Sequence, residues 1–172
     1  ARGLFTEAYR EWVSQQLRGK HGDSGLAKAQ EYLQQAAHPG HTVPAGPKQW
    51  DVQALLNLVL GMWGELFRKS FGKAEKTWLH ELQTIRNDWA HQKAFGTNDT
   101  LRNLDTIGRL LNAISASAAA SELEKLHGEV MRTRFSEMER AASNRAQRKA
   151  TEGRPQGGLR PWREIMIPHP DV

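Results

Sequence analysis

Seven consecutive residues near the middle of the chain, Ile85-Arg86-Asn87-Asp88-Trp89-Ala90-His91, gather two basic and two polar side chains. An imidazole titrates near neutral pH and can take up or release a proton, which in a transition state contributes on the order of 10²- to 10⁴-fold. A guanidinium offers a planar fork that fits two oxygens of a phosphate or carboxylate. Together they suit acid–base work beside an anion. Each also has an ordinary explanation. A histidine near a helix C-terminus is mildly favoured by the macrodipole whether or not it reacts, and Arg86 has Glu81 or another acid to pair with.

These residues need a helix to present them. Trp78, Leu82, Ile85 and Trp89 recur at three- and four-residue steps, which predicts a helix from Ala74 to about His91 with that stripe against the core. On an ideal helix Arg86 then lies roughly 70° to one side, Asn87 and His91 point almost directly away, and Arg86 and His91 diverge by roughly 140°. The preceding helix should run from Asp51 to Phe71, burying Val52, Leu55, Leu56, Val59, Trp63, Leu66 and Phe67, with Asp51 as its N-cap. Glu65 falls off that stripe; it could join the candidate site as a supporting carboxylate, although a solvated glutamate is the commoner explanation. Gly61 and Gly64, on the helix's other side, predict a close neighbour such as a second protomer.

The rest of the chain supplies the remaining elements. Leu4, Phe5, Ala8, Trp12 and Gln15 mark a first helix over 4–18, ended by Gly19 and Gly22, and a shorter one covers about 26–36. The Pro- and Gly-rich stretch of about 37–49 reads as a surface loop. Thr100 to Ile114 reads as a helix on Leu101, Leu104, Ile107 and Leu111. After a Ser/Ala linker over 115–120, Ser121 and Glu124 suggest a capping box for a last, long helix with Leu123, Leu126, Val130 and Met138 inward. No segment alternates as a strand does. The expectation is an all-α, antiparallel bundle of four to six helices over residues 1–150, followed by a linker, 151–172, toward a downstream domain.

Composition narrows the chemistry further. With no cysteine among 172 residues, disulfides, thiolate metal sites and cysteine nucleophiles are excluded, and a reducing compartment, the cytoplasm, is expected. The apolar run through Val59 to Trp63 is far shorter than the roughly 20 residues of a membrane span, so no membrane partner is expected. The net charge of +5 is unevenly placed: residues 132–163 hold nine Lys or Arg against three acids. A basic tail around Arg145, Arg148 and Lys149 could touch nucleic-acid phosphates, though a solvated helix face explains it as well. His38 and His41 lack further ligands and make a poor zinc site. No phosphate-cradling Gly-rich loop with Lys is present.

Arg86-Asn87-x-x-x-His91 resembles the Arg, polar residue, spacer, His motif of the HEPN superfamily, in which it ends the third main helix of a compact bundle. Trp50-Asp-Val-Gln-Ala-Leu-Leu56, Trp63-x-Glu65-Leu-Phe67-Arg68, Gly158-Leu-Arg-Pro-Trp-Arg163 and Pro168-His-Pro-Asp-Val172 extend the likeness to the HEPN branch at the N-terminus of large prokaryotic defence-associated ATPases. The resemblance implies an endoribonuclease that needs no metal or cofactor: the ribose 2′-hydroxyl attacks the adjacent phosphate, His91 shuttles the proton and Arg86 holds the phosphate. Asn87, four residues before His91 on the same helix face, could orient the imidazole or bond the phosphate in support, and Asp88 could cap, pair with a lysine or tune His91. It further implies an RNA substrate, a homodimer with a composite site where two such helices meet, and an ATPase region in the same longer polypeptide. The competing readings are a catalytically silent helical module for dimerisation or partner docking, and a basic nucleic-acid-binding domain.

Overall fold

The computed structural model describes residues 1–37 and 42–152. The two sequence words after Gly158 and the pair His38 and His41 lie outside the described residues. Among those described there are five α-helices, one 3₁₀ turn and one π turn, and no strand: α1 (Arg2–Ala36), the 3₁₀ turn (Pro47–Gln49), α2 (Val52–Gly61), the π turn (Trp63–Phe67), α3 (Lys73–Ala90), α4 (Thr97–Ala113) and α5 (Ser117–Glu152). The protein is thus an all-α bundle with a long C-terminal helix. No described helix is long and apolar enough to cross a membrane. By compactness the chain divides into Ala1–Arg132 and Thr133–Val172.

α1 is two helices joined at Gly22, whose φ of 57° and ψ of −148° form a backbone conformation essentially reserved for glycine. The break falls where Gly19 and Gly22 predict it. The buried face of the first half is Phe5, Tyr9, Trp12, Val13 and Leu17, whereas Gln15, counted with the apolar stripe in the sequence, is exposed. The rings of Phe5, Tyr9, Trp12, Phe71 and Trp63 follow one another with centroids 4.3–6.1 Å apart. Stacked pairs of this kind are worth about 0.5–1.5 kcal/mol each beyond their burial, and this row ties α1 to the chain around the π turn.

The helix expected over 51–71 is interrupted. Asp51 caps α2 as predicted, its side chain accepting from the Ala54 N–H at 2.8 Å. α2 nevertheless stops at Gly61, and the next turn is wide, with the Arg68 N–H donating to the Trp63 carbonyl at 2.8 Å, five residues back. The inserted rotation displaces the stripe across the junction: Met62 is buried and Trp63 only half-buried. The two glycines differ. A Cβ on Gly61 would overlap the Tyr32 ring, so its close neighbour is α1 of the same chain, while nothing lies within 4 Å of a Cβ on Gly64.

Within Ala1–Arg132, α1 packs on α2, α2 on α3 and α3 on α4, and α4 returns to α1. Gly72 and Gly96 precede α3 and α4, and the third residue of each helix, Glu75 or Asp99, accepts the glycine N–H at 2.8 or 3.2 Å. α5 begins at Ser117, four residues before the expected capping box, because the alanines of 116–120 are strong helix formers; the turn before it is made by Ser115 at a φ of 59°. Leu123 is buried as expected, but Met138 is exposed.

Candidate functional site

The C-terminal turn of α3 carries the candidate residues, and α2 and α4 fix that helix by burying Leu79 and Leu82. Trp78 and Ile85 are half-buried. Trp89, assigned to the core from its spacing, is 55% exposed, with the Arg2 guanidinium 4.3 Å from its ring centroid. The core face of α3 therefore ends near Ile85, one turn earlier than the apolar stripe, and the last turn is free to present polar groups.

His91 is the C-cap of α3. Its backbone N–H donates to the Asn87 carbonyl at 3.0 Å, and its exposed imidazole has no hydrogen bond or ion pair among the described residues. Asn87 is also exposed, as the helix geometry predicts. Arg86 is half-buried; its Nη1 donates to Asn87 Oδ1 across a long 3.5 Å, and it has no carboxylate partner among the described residues. The alternative pairing with Glu81 does not form, because Glu81 accepts from Arg102 at 3.1 Å and from Thr106 Oγ1 at 3.0 Å. Asp88 pairs with Lys93 at 2.9 Å, which pushes the lysine pKa up. Glu65 is exposed on the π turn and has no hydrogen bond or ion pair with any of these residues. Within one chain the structure thus places Arg86 with Asn87 and Asp88 with Lys93, and the side chains of His91 and Glu65 bond to neither pair.

Arg86 borders a groove that sequence reasoning did not find. It has a volume of about 690 Å³ and runs between the end of α1, the Thr42–Asp51 loop, α2 and the end of α3. One wall is apolar, with Leu33, Ala36, Val43 and Pro44, and the other carries Gln53, Asn57, Arg86 and Asn87. His91 is not among its lining residues.

The loop wall is held by specific bonds. Gln30 bridges it by donating to the Val43 carbonyl at 3.3 Å and accepting from the Gly46 N–H at 3.2 Å, and Gln34 accepts from the Val43 N–H at 3.2 Å. Trp50 is buried and donates its indole N–H to the Pro44 carbonyl at 3.1 Å. Arg10 closes the loop's far end with two bonds to the Trp50 carbonyl, at 2.9 and 3.2 Å. The glutamines at 30 and 34, spaced one helical turn apart and ahead of a Pro-rich loop, are the sequence signal that could have located this wall.

On the polar wall Asn57 Oδ1 accepts from Gln53 Nε2 at 2.8 Å and from Gln83 Nε2 at 3.0 Å. With that oxygen doubly engaged, Asn57 Nδ2 has no acceptor among the described residues, and Gln53 Oε1 is buried without a donor. Among the lining residues Arg86 is the one cation and Asp51 the one carboxylate, and Asp51 is engaged with the first turn of α2. Among the described residues no group of three or more His, Asp or Glu is placed to hold a metal ion.

The family model for Swt1-like HEPN domains matches residues 2–115, about two thirds of the chain, and its range includes Arg86, Asn87 and His91. No curated protein and no solved structure matches significantly. The helical bundle, the Arg86-to-His91 spacing at the end of α3 and the extent of the match agree, and the chain belongs to the Swt1-like HEPN family.

Proposed function

We propose that this HEPN domain is a metal-independent endoribonuclease. The observation that carries the reading is the position of Arg86 and His91 inside the family match, at the end of a helix whose last turn is turned away from the core, with neither side chain bound to an acid among the described residues. In the reaction the ribose 2′-oxygen bonds to the adjacent phosphorus and the bond from phosphorus to the 5′-oxygen breaks. The 2′-hydroxyl proton leaves to a base and the 5′-oxygen gains one, giving a 2′,3′-cyclic phosphate and a 5′-hydroxyl. His91 is the proton-transfer group and Arg86 the cation that stabilises charge on the phosphate oxygens. Because the two residues diverge by roughly 140° around α3, the working site combines Arg86 of one copy with His91 of another in a homodimer. Asn87 holds the guanidinium, and Asp88, engaged with Lys93, fixes the turn that follows His91. The setting is a cytoplasmic prokaryotic anti-phage defence protein with an ATPase region in the same polypeptide.

The test is digestion of tRNA, mRNA and single-stranded RNA in EDTA, with wild type and His91→Ala, as this domain and within the full-length protein. Wild type should produce fragments ending in cyclic phosphate and His91→Ala should not. Equal inertness of both in every setting would leave a silent docking module, and equal cleavage by both would remove His91 from the chemistry.

A further inference from the structure

The groove beside Arg86 has the character of a ligand seat. Its volume of about 690 Å³ falls within the roughly 300–1,000 Å³ of small-molecule sites, which pair apolar walls with a few converging polar groups. Val43 and Pro44 supply an apolar face, and the hydrogen bonds of Gln30 and Gln34 hold it in place. On the α2 and α3 side stand the free Asn57 Nδ2 donor and the guanidinium of Arg86, which has no acid partner among the described residues; Gln53 Oε1 also lacks a donor but is shielded from the groove. An amide donor on the groove wall matches the ring-nitrogen and carbonyl acceptors on the edge of a nucleobase. A guanidinium on the same rim matches the phosphate attached to that base.

We propose that this groove seats the ribonucleotide next to the scissile phosphate, with its base over Val43 and Pro44, its edge read by Asn57, and its phosphate on Arg86. The proposal rests on the endoribonuclease reading and deepens it: the groove makes cleavage dependent on base identity. Because His91 lies outside the groove, the base is recognised by the copy that contributes Arg86, and the proton is moved by the other.

Two variants leave the scaffold intact. Asn57→Asp keeps an oxygen that accepts from Gln53 and Gln83 and replaces the free donor with a carboxylate oxygen, whose added charge acts on phosphate and nucleotides alike, so that the comparison with phosphate isolates the donor; Ala36→Trp, at an exposed position on the rim, fills the groove without changing charge. The probes are the four ribonucleoside 3′-monophosphates, with inorganic phosphate as the comparison, titrated into the isotope-labelled chain and followed by amide NMR shifts. At least one nucleotide should move the Val43, Asn57 and Arg86 signals and bind roughly tenfold more tightly than phosphate, an advantage that Asn57→Asp reduces and Ala36→Trp abolishes. Phosphate binding as well as every nucleotide, or Ala36→Trp binding like wild type, overturns the proposal. RNA digests separate it from the reading beneath it. Cleavage with an unchanged distribution of terminal bases in Asn57→Asp removes the base-reading groove and keeps the nuclease. Nucleotide binding in the groove without cleavage by any form of the protein removes the nuclease and, with it, the substrate role assigned to the groove.

Discussion

Arg86 and Tyr9 show how differently two side chains can be held by the same bundle. Arg86 is attached to the rest of the protein by one long bond to Asn87, and removing it leaves no buried partner stranded. Arg86→Lys should therefore leave the melting temperature within about a degree or two of wild type, since surface changes of this kind cost under about 0.5 kcal/mol. It should still lower the rate of RNA cleavage by at least about tenfold, because a lysine keeps the charge and loses the two-pronged fit to phosphate oxygens. A parallel loss of melting temperature and rate would recast Arg86 as structural. Tyr9 is the opposite case, fully buried, with a hydroxyl that has no hydrogen-bond partner among the described residues and a pKa pushed well above its usual value of 10.0 by burial. Its folded-state pKa is the higher one, so the stability tied to its protonation is complete below about pH 10 and is lost as the pH rises beyond that. Tyr9→Phe should be neutral or stabilising by about 1 kcal/mol at pH 7 and should flatten the alkaline fall. Urea unfolding of both proteins at pH 7 and above pH 10 measures both effects, and a Phe variant that is several kcal/mol weaker would mean that the hydroxyl is satisfied after all.

At the level of elements, the two glycines of the α2 junction make a sharp contrast. Gly61→Ala places a methyl group against the Tyr32 ring and should cost about 1 kcal/mol or more as that ring is displaced, a loss that shortening Tyr32 to Ala in the same chain reduces. Gly64→Ala meets nothing and should gain about 0.5–1 kcal/mol from a less flexible unfolded chain. Equal effects in thermal unfolding would mean that the Tyr32 contact does not set the approach of α1 to α2. The same junction marks the boundary of what periodicity reveals. Helix positions were legible because apolar residues recur at 3.6-residue spacing and because Gly22, Asp51, Gly72 and Gly96 punctuate them. The π turn was not, since one hydrogen bond taken five residues back leaves no trace in an apolar count. Trp89 was misplaced because spacing reports which face a residue occupies and not how far a neighbouring helix extends to cover it. In the candidate site the outward aspect of Asn87 and His91 could be read from helix angles. The groove could not, because it depends on glutamines of α1 reaching a Pro-rich loop and on an amide cluster spanning α2 and α3, which are tertiary matters.

For the molecule as a whole, the angular separation of Arg86 and His91 around α3 sets the architecture that the proposed ribonuclease requires. In the proposed arrangement a second copy brings its own α3 alongside, so that each site takes Arg86 from one protomer and His91 from the other. A two-fold dimer built in this way has a consequence that no monomeric site shares. Arg86→Ala and His91→Ala chains should each be inactive alone. When they are co-refolded in equal amounts, half of the dimers are mixed, and each mixed dimer pairs the intact Arg86 of one chain with the intact His91 of the other at one of its two sites. Activity should then return to about a quarter of the wild-type rate at the same total concentration. Dilution below the dimer dissociation constant should abolish it again. A site formed within one chain gives no recovery at any mixing ratio, because every chain present lacks one of the two groups, and that result would overturn the composite arrangement while leaving each residue's own role to the single-variant digests.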